Sequence, residues 1–405
     1  MKPRSRDDAP QKSEWLLKPG ELTLKGQNRK SFENILKRNL IRMFSAYNAG
    51  RGENEKIKIK TTNGRYYVTA PDEKTDFVED SLSRLIGISG WAKTAEREKK
   101  EEEIIAACVE EGKKLYQTGA KTFKINARRT DKSFPLTSYQ LCCRAADAIT
   151  EVYGDLSVDV RAPDDIINIE IREKAYIYSG GKKALGGLPV GSAGRGLLLL
   201  SGGIDSPVAG FLMACRGMSV DAIHFHSYPY TSEESKQKAI DLAGIIGSYS
   251  AGSRLYILNF LKTQTRIKEN SPGEWMTILL RMAMMEAAEK AARKIKSKCL
   301  ITGESLSQVA SQTIENISCA QSRVTLPVLR PLIGFDKQDI IARARRLGAY
   351  EISIRPYNDC CALFSPKHPV LYGDPAEANA LYEKLELAPL IDEALSGYEL
   401  VKTGA

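Results

Sequence analysis

Residues 197–209, LLLLSGGIDSPVA, constrain the fold more than any other stretch of the chain. Four leucines in a row suit a short strand covered on both faces, as in a parallel sheet. Ser201-Gly202-Gly203 then turns the chain, and Ser206 and Pro207 suit the N-cap and first position of a helix. A strand, a glycine turn and a helix N-terminus aim backbone N–H groups and a positive helix end at one point, which favours an anion. No lysine follows the glycines, so the phosphate loop GxxxxGK[ST] is absent. Asp205 is placed to hold a magnesium ion that bridges phosphate oxygens. An ordinary strand–turn–helix connection would also produce such a loop; the leucines before it and IDSP after it favour a nucleotide.

From residue 197 onward strand and helix patterns alternate. SVDAIHFH, RLYILNF and KCLITGE read as strands. Residues 206–216, SEESKQKAIDLAGIIG, EWMTILLRMAMMEAAEKAARKIKS and SLSQVASQTIEN read as helices, the first ended by Gly217. In DKQDIIARARRLG, Asp336 and Asp339 suit the cap and first turn of another helix. This alternation predicts an α/β domain with a doubly wound parallel sheet. Ligands bind such sheets at the carboxyl ends of strands. The SGG turn lies at one such end, His224-Phe225-His226 at a second and Thr302-Gly303-Glu304 at a third.

The first 182 residues read as two smaller α+β units. EWLLKPGELTLKG predicts strand, turn and strand, and NRKSFENILKRNLIRMFSAY a helix. KIKIKTTNGRYYVTA predicts a hairpin turning at Asn63-Gly64. VEDSLSRLIGI and KKEEEIIAACVEEGKKLYQTG predict helices, TFKINARRT a strand, SYQLCCRAADAITEVYG a helix and DDIINIEIREKAYIYSGG a strand pair. KALGGLPVGS reads as a linker. Lys121, Lys124, Arg128, Arg129 and Lys132 make one segment basic. Strand alternation puts Lys124 and Arg128 on one face, near Phe134 and Tyr139 in the sequence. Such a face fits a nucleic-acid surface and equally a strand edge protected by charge.

Composition narrows the classes. The 59 Lys and Arg against 50 Asp and Glu give a net charge of +9, which favours phosphate-rich partners. No apolar run approaches the ~20 residues of a membrane span, and the polar start MKPRSRDDAPQKS has no apolar leader core. A cytoplasmic protein with reduced thiols is expected. The eight cysteines form no CxxC and there are three histidines, so zinc is not expected.

These motifs together resemble one family along nearly the whole chain: the tRNA 4-thiouridine sulfurtransferases, or ThiI family. The resemblance rests on GELTLKGQNRKSFE (20–33), RRTDKSFP (128–135), GGLPVGSAGRGLLLLSGGIDSPVAG (186–210), HFHSYPYTS (224–232), TGESLSQVASQT (302–313), RPLIGFDKQDI (330–340) and SIRPYNDCC (353–361). It implies an N-terminal ferredoxin-like domain over 1–76, a THUMP RNA-binding domain over 77–182 and a PP-loop ATP pyrophosphatase domain over 183–405. It implies ATP binding through Leu199, Leu200, Ser201, Gly202, Gly203, Asp205, Ser206, His224, Phe225, Arg281, Gly303 and Gln312. It turns the basic segment toward tRNA. Cys360 or Cys361 would carry persulfide sulfur, with Cys360 favoured. The implied reaction adenylates a uridine, expected at position 8, and replaces O4 by sulfur.

The resemblance further implies a homodimer, with a cysteine desulfurase or sulfide as sulfur source. Some relatives add a rhodanese domain, to which a role in thiamine biosynthesis is ascribed; no such domain is expected here. No iron–sulfur cluster is expected, because CxxC is missing. Pro19 stands where the family usually has tyrosine before GE, which alters the turn. Two other classes share single features: another PP-loop ligase or amidotransferase-like enzyme, and a tRNA-binding protein with a vestigial loop.

Overall fold

The structure is a computed structural model that describes residues 11–404 apart from 63, 251, 358–365 and 367. The chain divides into two compact units, Met1–Gly187 and Leu188–Ala405.

In the first unit β1 (Lys12–Pro19) leads to α1 (Arg29–Met43) and α2 (Ser45–Asn48). The hairpin β2 (Lys58–Thr62) and β3 (Arg65–Pro71) follows, with Thr62 opposite Arg65, as the Asn-Gly pair predicts. Then come α3 (Thr75–Ser83), β4 (Ile88–Arg97), α4 (Glu101–Gln117), β5 (Thr122–Arg129) and α5 (Ser138–Val152). The unit closes with β6 (Ser157–Val158), β7 (Asp165–Ile171), β8 (Ala175–Tyr178) and β9 (Lys182–Lys183). One sheet holds them in the order β2-β3-β1-β4-β8-β7-β5-β6, with β9 beside β4.

Two expectations fail in this unit. ELTL is a 3-10 turn over Glu21–Leu24, not a strand. Gly20 N donates to Gly87 O and Thr23 N to Gly20 O, so the chain is already turned there. The helix expected through residue 88 stops at Ser83, and β4 begins at Ile88. That strand contains Gly90, Ala92, Lys93 and Ala95, which carry little strand signal. Pairing imposes the conformation: residues 88–94 bond to β1 and Ala95–Arg97 to β8. The single strand β4 therefore serves two cores. Trp15, Leu36, Leu40, Val78 and Leu82 belong to one, and Ile104, Leu115, Phe123, Leu141, Ile149 and Ile167 to the other.

In the second unit β10 (Arg195–Leu199), α6 (Asp205–Cys215), β11 (Ser219–His226), α7 (Glu233–Tyr249) and β12 (Ser253–Asn259) alternate as predicted. After them come α8 (Leu261–Asn270), α9 (Met276–Lys294), β13 (Cys299–Ile301), α10 (Ile314–Gln321) and β14 (Val328–Leu329). The remaining elements are α11 (Lys337–Leu347), α12 (Tyr350–Ser353), α13 (Pro375–Glu383), α14 (Ala388–Ser396) and β15 (Glu399–Thr403). The sheet order is β14-β13-β10-β11-β12-β15, parallel from β14 to β12, with β15 antiparallel at the edge. The leucine strand lies at its centre, with Leu197 and Leu198 fully buried. Asp336 caps α11 by accepting from Asp339 N, and Gly348 ends it in the left-handed region.

The helix expected over SLSQVASQTIEN is not continuous. Ser307 is left-handed (φ 59) and Val309 extended, so only a 3-10 turn, Ala310–Gln312, forms before Thr313 caps α10.

Leu198→Ala should lower the stability of the second unit by about 2–5 kcal/mol, the usual cost of a cavity at a fully buried leucine. Urea denaturation followed by a probe in that unit measures it, and a drop under about 1 kcal/mol would contradict this packing.

Candidate active site

The turn after β10 is held closed by its own side chains. Ser206 Oγ accepts from Ser201 N at 3.0 Å, and Ser201 Oγ accepts from Gly203 N at 3.2 Å. Ser206 is not the expected N-cap. α6 begins at Asp205, Ile204 precedes it, and no side chain caps the helix. Turning inward to bond Ser201 keeps the Ser206 hydroxyl in the loop.

A cleft of about 190 Å³ opens at this edge of the sheet. Leu199, Leu200, Ser201, Asp205, Ser206, His224, Phe225, Arg281, Gly303 and Gln312 line it, ten of the twelve positions for which the family resemblance implies ATP binding. Gly202 and Gly203 form the adjoining turn without lining the cleft. Met284 and Met285 also line it, one helical turn beyond Arg281 on α9, as do Thr302 and Glu304.

Each wall has a physical cause. His224 lies two residues before the end of β11, and its Nδ1 lies 2.9 Å from Leu200 O. A carbonyl only accepts, so Nδ1 carries the proton and donates. Gly303 follows β13 so closely that a Cβ would stand 2.7 Å from Ser206 N. Only glycine lets the two backbones approach this far. Gln312 accepts from Ser305 N at 3.3 Å, which ties the left-handed Ser307 loop to the cleft.

Charge is concentrated at the mouth of the turn. Asp205 accepts from Lys337 Nζ at 2.7 Å and from Gln308 Nε2 at 2.8 Å. Lys337 and Gln308 were not singled out from the sequence, although Lys337 sits in RPLIGFDKQDI and Gln308 in TGESLSQVASQT. Their distance in the chain from Asp205 hid the connection. Asp205 is the carboxylate that the sequence leads one to expect as a magnesium ligand. Among the described residues no group of three or more His, Cys, Asp or Glu could hold a metal ion by itself. A magnesium ion held through one carboxylate, with phosphate oxygens and water as its other ligands, fits that donor set.

Cys360 and Cys361 lie outside the described residues.

The basic segment splits between two roles. Lys121, Arg128 and Lys132 are exposed, and Lys124 shares the Arg128 face of β5 while donating to Val160 O at 3.2 Å. Arg129 points to the opposite face and donates to Phe134 O (2.9 Å) and Leu136 O (2.6 Å), so it anchors its own loop. Phe134 is buried and offers no ring to a partner, whereas Tyr139 is exposed. Beside Arg128 the first unit holds a polar cavity of about 480 Å³ that also includes Lys18 and Arg65. The sequence pattern marked neither.

The family described as "Thiamine biosynthesis protein (ThiI)" matches residues 191–387, the THUMP domain 98–179 and the ThiI ferredoxin-like domain 14–92. The chain is 45% identical over 385 residues to a "Probable tRNA sulfurtransferase" of Treponema pallidum (strain Nichols), covering 94% of each. The chain belongs to the tRNA sulfurtransferase family. Another sulfurtransferase relative, from Caldanaerobacter subterraneus subsp. tengcongensis, is 43% identical over 93% of this chain and 96% of its own length. Among solved structures, a 4-thiouridine synthetase–RNA complex with bound ATP superposes with a TM-score of 0.88 at 34% identity. It covers 97% of this chain and all (100%) of its own. PH1313 from Pyrococcus horikoshii reaches a TM-score of 0.64 at 25% identity, over 83% of this chain and 99% of its own. In this sulfurtransferase family member the ferredoxin-like and THUMP matches fall in the first unit and the ThiI match in the second.

Gly303→Ala should weaken ATP binding at least about tenfold, because Ser206 N must move for the new Cβ to fit. Calorimetric titration with ATP measures it; unchanged affinity would show that the close approach does not shape the cleft.

Proposed function

We propose that this chain is an ATP-dependent tRNA sulfurtransferase that converts a uridine, expected at position 8, to 4-thiouridine. The observation that carries the reading is the closed SGG turn opening into a cleft lined by ten of the residues predicted for ATP.

The chemistry follows from what the cleft offers. Uracil O4 is a poor leaving group. Its attack on the α-phosphorus of ATP expels pyrophosphate and leaves O4 as an adenylate. Sulfur then adds at C4 and AMP departs. The α6 N-terminus, Arg281 and Lys337 are the groups available to offset charge building on the phosphates. Magnesium, held by Asp205, would add further charge neutralisation when bound. Lys337 and Gln308 would release Asp205 as the ion arrives.

Cys360 or Cys361 would present the persulfide, with Cys360 favoured. Burial pushes Cys215, Cys299 and Cys319 up to about 11 and Cys108 up to about 12, so these thiols stay protonated and unreactive near neutral pH. A cysteine desulfurase would supply persulfide sulfur to that cysteine. Its attack at C4 expels AMP and leaves a C4–S–S–Cys link, which a second thiol cleaves to release 4-thiouridine and form a disulfide. Free sulfide would instead add at C4 directly, with no persulfide and no change of oxidation state.

The exposed face of β5, with Lys124 and Arg128, and the nearby Lys121 and Lys132 would hold tRNA phosphates. Arg129 would act by shaping the loop. The polar cavity with Lys18 and Arg65 extends the same basic surface. We assign the ferredoxin-like domain to 1–76, THUMP to 77–182 and the PP-loop domain to 183–405. A homodimer in the cytoplasm fits the family. No helix among the described residues is long and apolar enough to cross a membrane.

Nucleoside analysis of tRNA incubated with the protein, ATP, magnesium and sulfide tests the reaction. 4-Thiouridine should form, and Asp205→Ala should reduce it at least about 100-fold, the effect expected of a group that stabilises phosphate charge. Normal product from that variant would reject the role of the loop. With a persulfide donor, Cys360→Ser and Cys361→Ser made together should abolish product; retained product would point to a different PP-loop chemistry.

Lys124→Ala with Arg128→Ala should weaken tRNA binding and flatten its dependence on salt, by about one unit of slope for each phosphate no longer neutralised. Filter binding from about 50 to 200 mM salt, a range over which such ion pairs respond strongly, measures both. An unchanged slope would remove this face from the interface.

A further inference from the structure

Glu304 is a buried carboxylate in the cleft wall, 3% exposed. Both its oxygens are taken. Oε1 pairs with Arg281 Nη2, and Oε2 accepts from Arg330 Nε at 2.6 Å and from Thr302 Oγ1 at 2.8 Å. Arg281 lines the cleft, whereas Arg330 does not and reaches Gln321 Oε1 at 2.8 Å with its Nη1. Burial alone would raise the Glu304 carboxyl, but the two guanidinium groups outweigh it and hold it below its ordinary range. Glu304 is therefore charged, and two cations face one anion.

That cluster carries one positive charge in excess. Arg281 Nε and Arg330 Nη2 are also buried without a hydrogen-bond partner among the described residues. Unpaired buried charge and donors are costly until an anion meets them. An arginine free to rotate would lose conformational entropy when it met a phosphate; one already clamped by a carboxylate does not.

We propose that Glu304 is a positioning residue that aims the Arg281 guanidinium at a phosphate of ATP, with Arg330 anchoring Glu304 from behind. The proposal rests on the nucleotide reading of the cleft. Glu304 touches no reacting atom; its effect passes through Arg281.

Steady-state kinetics of the full chain with tRNA, ATP, magnesium and sulfide test it, alongside calorimetric titration of the wild-type chain with ATP. Glu304→Gln should raise the KM for ATP about 10- to 100-fold, the range of one charge-assisted hydrogen bond. The KM for tRNA should not change. In the Arg281→Gln background, Glu304→Gln should add nothing further to the KM for ATP, because the two residues act as one unit. A merely structural role would lower the amount of active protein and so kcat, leaving the KM for ATP alone. An unchanged KM for ATP, or fully additive effects in the double variant, would overturn the proposal. Glu304→Asp keeps the charge but shortens the reach, and carries the same test if Glu304→Gln does not fold: its KM for ATP should rise by a smaller factor, and no rise overturns the proposal. Absence of ATP binding to the wild-type chain would instead bring down the nucleotide reading, and the proposal with it.

Discussion

The close approach of two backbones organises the ligand edge of the second unit. At Gly303 a Cβ would stand 2.7 Å from Ser206 N, so the chain just past β13 lies against the first turn of α6. Because β13 and β10 are neighbours in the sheet, that approach brings the Thr302-Gly303-Glu304 segment beside the SGG turn. The anion-seeking end of α6 and the Arg281–Glu304 pair then face one cleft. A side chain at 303 would separate them.

The electrostatics of the cleft divide into two arrangements with opposite bias. Asp205 is half-buried, its lysine partner is exposed, and its two oxygens are met by Lys337 and Gln308. Glu304 is buried, and its partners are two arginines. A half-buried carboxylate whose lysine partner reaches solvent exchanges partners more easily than one enclosed on all sides. A buried carboxylate between two guanidinium groups is rigid, because removing either partner strands a charge in the protein interior. The first arrangement suits a group that responds when phosphate and metal arrive, and the second suits one that keeps its geometry throughout.

Much of this was legible beforehand. The leucine run, the SGG turn and the alternation after residue 197 specify a parallel α/β sheet because only buried central strands are apolar on both faces. The Asn63-Gly64 pair specified the β2–β3 register for a local reason, the left-handed backbone that such turns need. β4 was not legible: Gly90, Ala92 and Ala95 carry little strand preference, and strands on both sides impose the conformation. The helix expected over SLSQVASQTIEN failed for a similar reason. Gln312 and Ser305 bond each other across the loop, and Ser307 turns left-handed between them.

The order of residues alone determined where an anion site could form, since a strand, small residues and a helix start are local features. It also determined which residue types were at hand for the chemistry. Only the folded chain decided that Lys337 and Gln308 meet Asp205 and that Arg281 and Arg330 share Glu304. It also decided that Arg129 directs its guanidinium to the carbonyls of its own loop. The pairings at Asp205 and Glu304 join positions far apart in the chain, and the sheet order that joins them comes from burying apolar surface over the whole unit, which no short window of sequence contains.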